Sequence, residues 1–183
     1  MANLKTNIQQ LAKDFFTETV EIRRHLHQNP ELSFEEFETS AFIKQRLDEL
    51  GISYQVMATT GIVGLIHGTL ASDKVIALRA DMDALPITEV EGRTYGSTNP
   101  GIMHACGHDV HMTVALGLLR RLVENPIRDH VVILFQPAEE SPGGALPMRE
   151  WLKEAQPALI PDKIFAFHVA PEYPVGTVAT RPG

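Results

Sequence analysis

Residues 104–108, with the sequence His-Ala-Cys-Gly-His, combine the side chains that bind a transition metal most readily. The segment contains Cys106, the only cysteine in the chain, and two of the eight histidines. Zinc accepts thiolate sulfur, imidazole nitrogen and carboxylate oxygen as ligands. Cys106 and His108 are two residues apart, so their side chains project to the same side of an extended loop. The segment therefore predicts a metal-binding loop just before an apolar helix that begins near His108.

Carboxylates and one more histidine follow three separate apolar segments. Two adjacent carboxylates at the end of an apolar strand need a positive charge nearby, because burial without one is costly. One of them can bind a metal, and the other can act as the general base for metal-bound water. Ligands of open α/β sheets bind beyond the carboxyl ends of the strands, so we expect all these residues at one edge. Asp81 and Asp83 follow "KVIALRA", Glu139 and Glu140 follow "HVVILFQPA", and His168 follows "KIFAF".

Several polar residues near these positions have a simpler structural explanation. Asp81 and Asp83 could be turn residues before a proline, since aspartate favours turns. Asp109 could interact with the helix N-terminus or could support a metal ligand. His104 and His111 could bind a metal, support a ligand or pack in the interior. Four further histidines are expected to be hydrogen-bonded structural residues: His25, His27, His67 and His130.

The elements that must position these residues predict an α/β fold. Helical spacing of apolar residues before Pro30 predicts a first helix, and Ser33 with Glu36 predicts a capping box at the start of a second helix that stops at Gly51. Two strands follow, paired around residues 59–61. From residue 74 onward the order is strand, helix, strand, helix, strand, and the strands are continuous apolar runs. This pattern predicts a mostly parallel central sheet with helices on both faces.

Composition excludes some classes of partner. The 183 residues carry a formal net charge of -7, and nothing in the sequence favours nucleic acid or an anionic membrane surface, which reward clustered lysine and arginine. No apolar stretch approaches the ~20 residues of a membrane span, and the N-terminus lacks the apolar region of a secretory signal. A single cysteine cannot form an internal disulfide. We therefore expect a cytoplasmic protein whose partners are small molecules.

Five motifs together resemble a known family. "HQNPELSFEE", "LRADMDALPI", "MHACGHDVHMT", "LFQPAEE" and "FHV" occur here in the order and spacing of the M20 metallopeptidase-like amidohydrolases. They are most similar to the branch that contains hippurate hydrolase and N-acetyldiaminopimelate deacetylase. The resemblance implies a zinc-exopeptidase-like catalytic domain, two divalent metal ions (Zn, Mn, Co or Ni) and hydrolysis of the amide bond of N-acyl amino acids. It also implies a possible homo-oligomer in the full-length form.

The resemblance also implies roles for individual residues. Glu139 matches the general base. Asp81 and Asp83 match an acidic motif at the end of the preceding strand, and which of the two acts at the metal site stays open. Four residues match metal-ligand positions: Cys106, His108, Glu140 and His168.

Members of this family are usually about twice as long as this chain. We therefore expect residues 1–183 to be the N-terminal part of the catalytic domain, without the lid or dimerisation domain and the C-terminal catalytic segment, and to be inactive alone. One alternative is a non-catalytic remnant that binds metal weakly. Another is a thiol nucleophile at Cys106, although His108 is too close in sequence to be an aligned base and no oxyanion motif is evident. A zinc nucleobase deaminase would need a second cysteine.

Overall fold

The computed structural model describes residues 9–69, 74–141 and 143–180. Its helices are α1 (Phe16–Gln28), α2 (Phe37–Glu49), α3 (His108–Glu124) and α4 (Ala145–Ala155), with a 3-10 turn at Pro157–Leu159. Its strands are β1 (Ser53–Met57), β2 (Gly61–Ile66), β3 (Val75–Asp81), β4 (His130–Gln136) and β5 (Lys163–Ala166). Within these residues, no helix is both long enough and apolar enough to cross a bilayer.

The five strands form one mixed sheet in the order β1-β2-β4-β3-β5. Strands β3, β4 and β5 are parallel, as their continuous apolar sequences predict. The predicted pairing of the two preceding strands is also confirmed, because β1 and β2 form an antiparallel hairpin. The hairpin joins the parallel strands through β2, which runs antiparallel to β4. This attachment makes the whole sheet mixed.

Helices cover both faces of the sheet, so the predicted α/β class is confirmed. Helices α1, α2 and α3 pack on one face, and α4 packs on the other. Side chains alternate between the two faces along each strand, and β4 accordingly sends Ile133 and Phe135 to the first core and Val132 and Leu134 to the second. The buried helical side chains of the first core are Ile22, Leu26, Ile43, Leu47, Met112, Ala115, Leu116 and Leu119, and those of the second are Met148 and Leu152.

Helix α2 ends as the sequence predicts but begins differently. The C-terminal glycine is confirmed: Gly51 has φ +67°, and the N–H of Ile52 bonds to the carbonyl of Leu47. The capping box is wrong. The helix begins at Phe37, Glu36 is its N-cap, and no capping hydrogen bond from that side chain exists in the described structure. The side chain of Glu36 instead points away from the helix and toward the sheet edge described below.

The register of the parallel strands brings the predicted site residues to one edge. Asp81 ends β3 directly opposite Gln136, which ends β4. Ala166 ends β5 opposite Arg79, so His168 follows two residues beyond the same edge. The segments that leave the carboxyl ends of three adjacent strands therefore meet there, and the N-terminus of α3 lies against them.

Candidate metal centre

His108 lies at the middle of the polar cluster at this edge. Its Nδ1 is 2.7 Å from the main-chain carbonyl oxygen of Asp83. Since a carbonyl can only accept a hydrogen bond, Nδ1 carries the proton and Nε2 carries the lone pair. Nε2 lies 3.8 Å from a carboxylate oxygen of each of Asp81, Glu139 and Glu140. It is buried without a hydrogen-bond partner among the described residues.

His168 is oriented in the same way. Its Nδ1 donates to the main-chain carbonyl of Val169 at 2.6 Å, which leaves the lone pair on Nε2. That nitrogen lies 3.4 Å from the sulfur of Cys106. Histidines that bind metals almost always donate their other ring N–H to a carbonyl, carboxylate or water. Both histidines that matched ligand positions therefore have the second hydrogen bond that is usual for a metal-binding histidine.

Three groups of side chains in the described structure have ligand atoms within 4.8 Å of one another, and His108 belongs to all three. The fold therefore brings together all four side chains that matched ligand positions, and it places Glu139 and Asp81 beside them. Glu139 and Glu140 are the more accessible carboxylates, with side chains 39% and 26% exposed. The groups are Cys106 with His108 and His168, Asp81 with His108 and His111, and His108 with Glu139 and Glu140.

Asp83 is fully occupied by hydrogen bonds from its neighbours. One carboxylate oxygen accepts the main-chain N–H of Glu139 and the other accepts that of Glu140, both at 3.0 Å. The hydroxyl of Ser33 also donates to it at 2.7 Å. Burial alone would raise the pKa of Asp83, but hydrogen bonds from His108, Ser33 and the two N–H groups outweigh it and hold that pKa well below its usual range. Asp83 therefore stays ionised and holds the segment that carries the glutamate pair.

Asp81 is paired with His111 and Arg79. His111 Nε2 accepts the N–H of Val169 at 3.1 Å, so Nδ1 carries the proton and donates to Asp81 at 2.5 Å. The other oxygen of Asp81 lies 2.9 Å from the Arg79 guanidinium. Burial opposes ionisation of Asp81, yet the His111 hydrogen bond and the charges of His108 and Arg79 lower its pKa. Because both ring nitrogens of His111 are engaged, this histidine supports Asp81 and Val169 in this arrangement.

The turn before the glutamate pair depends on a residue whose role the sequence did not reveal. Glu36 is fully buried. One of its oxygens accepts the N–H of Ala138 at 2.9 Å, and the other accepts the hydroxyl of Thr60 at 2.5 Å. Ala138 has φ +50°, an unfavourable conformation for alanine that needs support from its surroundings. Glu36 lies in one of the five family motifs, but its spacing from Ser33 suggested a helix cap.

A second buried network of hydrogen bonds holds the N-terminus of α3, and the sequence did not predict it. The carboxylate of Asp109 bonds to Nδ1 of His27 at 2.8 Å and to Nε of Arg23 at 2.9 Å. Nε2 of His27 bonds to Glu89 at 3.0 Å, so His27 links α1 to the loop before α3. His27 was expected to be a structural histidine, and this environment agrees with that expectation. Gly107 directly precedes α3 and has φ +87°. A Cβ at this position would lie 2.3 Å from a methyl carbon of Val169.

The comparisons with known proteins identify the family. A model of peptidase family M20/M25/M40 matches residues 77–183, which is more than half of the chain. The chain belongs to this family. The predicted resemblance is thereby confirmed, and the site residues from Asp81 to His168 all lie inside the matched region.

Curated relatives of this M20 chain include two bacterial proteins named N-acetyldiaminopimelate deacetylase. The protein of Anoxybacillus flavithermus is 52% identical over 166 residues, which cover 90% of this chain and 43% of the relative. That of Exiguobacterium sibiricum is 51% identical over 168 residues, with 90% and 44% coverage. The chain thus spans less than half the length of these relatives.

Solved structures give the same assignment for this M20 chain. The YXEP protein of Bacillus subtilis, described as a dinuclear metal-binding peptidase from the M20 family, has a TM-score of 0.81 and 38% identity. The match covers 93% of this chain and 48% of that one. A putative aminohydrolase from methicillin-resistant Staphylococcus aureus has a TM-score of 0.74 and 42% identity, with 80% and 40% coverage.

The donor set of this M20 chain fits a divalent metal. Four carboxylates surround two imidazole lone pairs and a thiol, and the buried Nε2 of His108 faces three of those carboxylates without a hydrogen bond. Burial, followed by Glu140, raises the pKa of the Cys106 thiol to about 12. Burial lowers the pKa of His108, but the carboxylates of Asp83 and Asp81 raise it by more, so the pKa of His108 lies above its usual value. Both raised pKa values have the same cause, since the carboxylates around the thiol and the imidazole favour a positive charge at this point.

Proposed function

We propose that this chain is part of a metal-dependent amidohydrolase that cleaves N-acyl amino acids into a carboxylate and a free amino acid. The observation that carries the proposal is the shared orientation of His108 and His168. Each donates Nδ1–H to a main-chain carbonyl and presents Nε2 to the carboxylates or to the thiol. This orientation is the one that metal-binding histidines almost always have.

The proposed metal ligands are Cys106, His108, Glu140 and His168. Thiolate and imidazole donors favour zinc or another late first-row ion over magnesium or calcium, so Zn, Mn, Co and Ni are the candidates, with zinc the best match to the sulfur. Two such ions, when bound, polarise an amide carbonyl and make water more acidic. Asp81 and Asp83 act here as positioning residues, since donors from the protein engage both oxygens of each.

Glu139 is the proposed general base. Its carboxylate is the most exposed of the four, so water and substrate can reach it. It accepts a proton from the attacking water and then delivers that proton to the nitrogen of the leaving amine. Asp83 holds the main-chain N–H groups of both glutamates, which orients Glu139 and Glu140 as a pair. The names of the relatives support an N-acetylated diamino acid such as N-acetyldiaminopimelate as substrate. Hippurate, which the resemblance to the family implies, is the second candidate.

We also propose that residues 1–183 form the N-terminal part of the catalytic domain and need further sequence for full activity. Strand β5 supports this, because it is an edge strand that leaves Ile164 and Phe165 more than half exposed. A site that depends on the free thiol of Cys106 also suits a reducing compartment, which supports the cytoplasm.

A thiol nucleophile is the second candidate function. Cys106 Sγ lies 3.4 Å from His168 Nε2, and a thiol next to an imidazole could act as a nucleophile with its general base. The surroundings of Cys106 oppose this function, since burial and the nearby carboxylates raise the pKa of the thiol, whereas a reactive cysteine needs a lowered pKa.

One experiment separates the two functions. The intact protein is dialysed against a chelator and assayed with N-acetyldiaminopimelate and hippurate before and after Zn²⁺, Mn²⁺, Co²⁺ or Ni²⁺ is added. We expect turnover to disappear on dialysis and return with metal. Turnover that persists in metal-free protein and is abolished by alkylation of Cys106 would instead establish the thiol mechanism.

A further inference from the structure

The two residues that link β4 to the glutamate pair are packed tightly between two other segments. Both of them, Pro137 and Ala138, are buried. A Cβ at Gly61, the first residue of β2, would lie 2.7 Å from the ring of Pro137, and a Cβ at Gly144 would overlap the carbonyl oxygen of Pro137. Since a packed interior has few voids, the backbone of this turn has little room to move toward either neighbour.

Glu36 supplies the hydrogen-bond acceptor inside this packed turn. The main-chain N–H of Ala138, a residue only 1% exposed, donates to Glu36 at 2.9 Å. The hydroxyl of the buried Thr60 donates to the second oxygen of Glu36 at 2.5 Å. Burial of a carboxyl group among neutral donors is costly, whereas an apolar side chain of the same size would stabilise the core. The stability of the core therefore does not explain a glutamate here, but the need of the Ala138 N–H for an acceptor does.

Three consecutive main-chain N–H groups in this turn donate to carboxylates from two distant segments. The N–H of Ala138 bonds to Glu36, and the N–H groups of the glutamate pair both bond to Asp83. The carboxylates of the pair each have an oxygen 3.8 Å from the same buried nitrogen, His108 Nε2. Because one or two peptide units separate Ala138 from the two glutamates, a displacement of Ala138 would move both carboxylates relative to His108.

We propose that Glu36 is a positioning residue for Glu139 and Glu140 and thereby sets the metal affinity and the turnover of the site. The inference rests on the proposed function, in which Glu140 is a metal ligand and Glu139 is the general base. Glu36 acts by holding Ala138 at φ +50°, a conformation that alanine rarely adopts without support. Thr60 in turn holds the carboxyl group of Glu36.

Amide hydrogen exchange in the 183-residue chain tests the positioning role without metal or substrate. Glu36→Leu removes the acceptor and keeps a side chain of similar size. We expect the N–H groups of Glu139 and Glu140 to exchange about tenfold faster than in the wild type, relative to residues 131–135 of β4, because the turn loses a buried hydrogen bond. The reference to β4 is needed since a loss of overall stability accelerates exchange at both places alike.

A conservative variant and a control accompany this measurement. In Glu36→Gln the carbonyl oxygen can still accept the N–H of Ala138, and the amide can donate to the Thr60 hydroxyl, which reverses its role. Exchange should then stay close to the wild-type rate. Val75→Ala, at the buried amino end of β3, lowers stability at the opposite end of the strand and should not change the relative rate.

Thr60 provides a second pair of variants in case Glu36→Leu does not fold. Thr60→Val keeps the shape of the side chain and removes the hydroxyl, whereas Thr60→Ser keeps the hydroxyl. We expect faster relative exchange at Glu139 and Glu140 in Thr60→Val and wild-type exchange in Thr60→Ser.

The functional consequence is measured as the zinc affinity of the 183-residue chain and the kcat of the intact protein at saturating zinc. Glu36→Leu should lower the affinity about 10–100-fold, as loss of a residue that supports a metal ligand does. It should lower kcat by about 10²-fold, the effect of a misplacement of about 1 Å. Glu36→Gln and Val75→Ala should retain both values.

Three outcomes would overturn the inference: unchanged relative exchange of Glu139 and Glu140 in Glu36→Leu, normal zinc affinity and kcat in that variant, or equal losses in Val75→Ala. Failure of the proposed function gives a different result, because the intact wild type with metal then hydrolyses no N-acyl amino acid. The exchange rates alone then decide whether Glu36 positions the glutamate pair. If the wild type is active and Glu36→Leu has the same kcat, the amidohydrolase stands and the positioning role is wrong.

Discussion

His108 donates its Nδ1–H to the main-chain carbonyl of Asp83 at 2.7 Å, and this bond decides which ring nitrogen faces the carboxylates. The side chain of the same aspartate accepts the main-chain N–H groups of Glu139 and Glu140. Asp83, two residues after the end of β3, thus orients both an imidazole from α3 and the glutamate pair that follows β4. The site is therefore held by hydrogen bonds that connect three elements far apart in the sequence.

Glu139→Gln is expected to retain metal and to lose turnover in the intact protein. The amide keeps the size of the side chain but cannot accept and deliver the proton, and loss of a general base typically costs about 10²–10⁴-fold in kcat. Metal content by atomic absorption and kcat are measured together. Glu154→Gln, an exposed residue of α4, is the matched control. A kcat close to the wild-type value in Glu139→Gln would exclude the proposed role.

Cys106→Ser and His108→Ala are each expected to weaken metal binding to the 183-residue chain. Both residues contribute a donor to the same small group of ligand atoms. Loss of a supporting residue around a metal typically costs about 10–100-fold in affinity, and loss of a direct ligand should cost at least as much. The affinity is measured by competition with a chromophoric chelator. His67→Ala, exposed near the amino end of β4, should bind as the wild type does. Unchanged affinity in both site variants would rule out this metal centre.

Asp83→Asn is expected to reduce both metal affinity and kcat although Asp83 is not a proposed ligand. Asparagine keeps one acceptor oxygen, but its amide group would face the main-chain N–H of one glutamate. The glutamate pair should then move, with a loss of about 10–100-fold in metal affinity. A crystal structure and a metal titration of the variant check this. If Asp83→Asn loses only stability, with normal metal affinity, Asp83 has no positioning role.

The stability contributed by His27 should depend on pH. Its hydrogen bond with Asp109, aided by Glu89 and opposed by burial, raises the pKa of His27 above its ordinary value of 6.5. The contribution is therefore complete below pH 6.5 and is lost as the pH rises through the raised pKa of the folded protein. Denaturant unfolding of the wild type and His27→Gln should differ by about 1.5–3 kcal/mol at pH 6, and by less at pH 9.

The exposed His25, which stacks on Phe42, provides the control for this experiment. His25→Gln should not show the decrease toward pH 9 expected for His27→Gln, because burial, with the charge of Arg46, lowers the pKa of His25 and its effect on stability therefore changes in the opposite sense. A difference between wild type and His27→Gln that stays constant or grows toward pH 9 would contradict the assigned charge state of His27.

Local patterns were sufficient for much of the fold. The apolar runs of β3 and β4 predicted parallel strands because a strand buried on both faces needs apolar side chains at every position. Strand β5 has a similar run and is parallel as predicted, but its side chains are exposed at the edge of the sheet. Gly51 marked the end of α2 because a left-handed residue is needed there and glycine adopts that conformation without strain. The spacing of Cys106 and His108 predicted a metal-binding loop because both residues lie in one short segment whose geometry depends on the adjacent backbone alone.

Contacts between segments far apart in the sequence could not be predicted from local patterns. Glu36 lies 102 residues from Ala138, and its spacing from Ser33 favoured a local cap that does not form. The carboxylate instead meets the N–H of a strained turn, and only the packed sheet brings these two groups within 2.9 Å. The same is true of Asp83, whose hydrogen bonds to the glutamate pair depend on the register between β3 and β4. Residue types and spacing report what chemistry a chain can perform, whereas hydrogen bonds across the sheet determine which of its chemically equivalent side chains remain free to perform it.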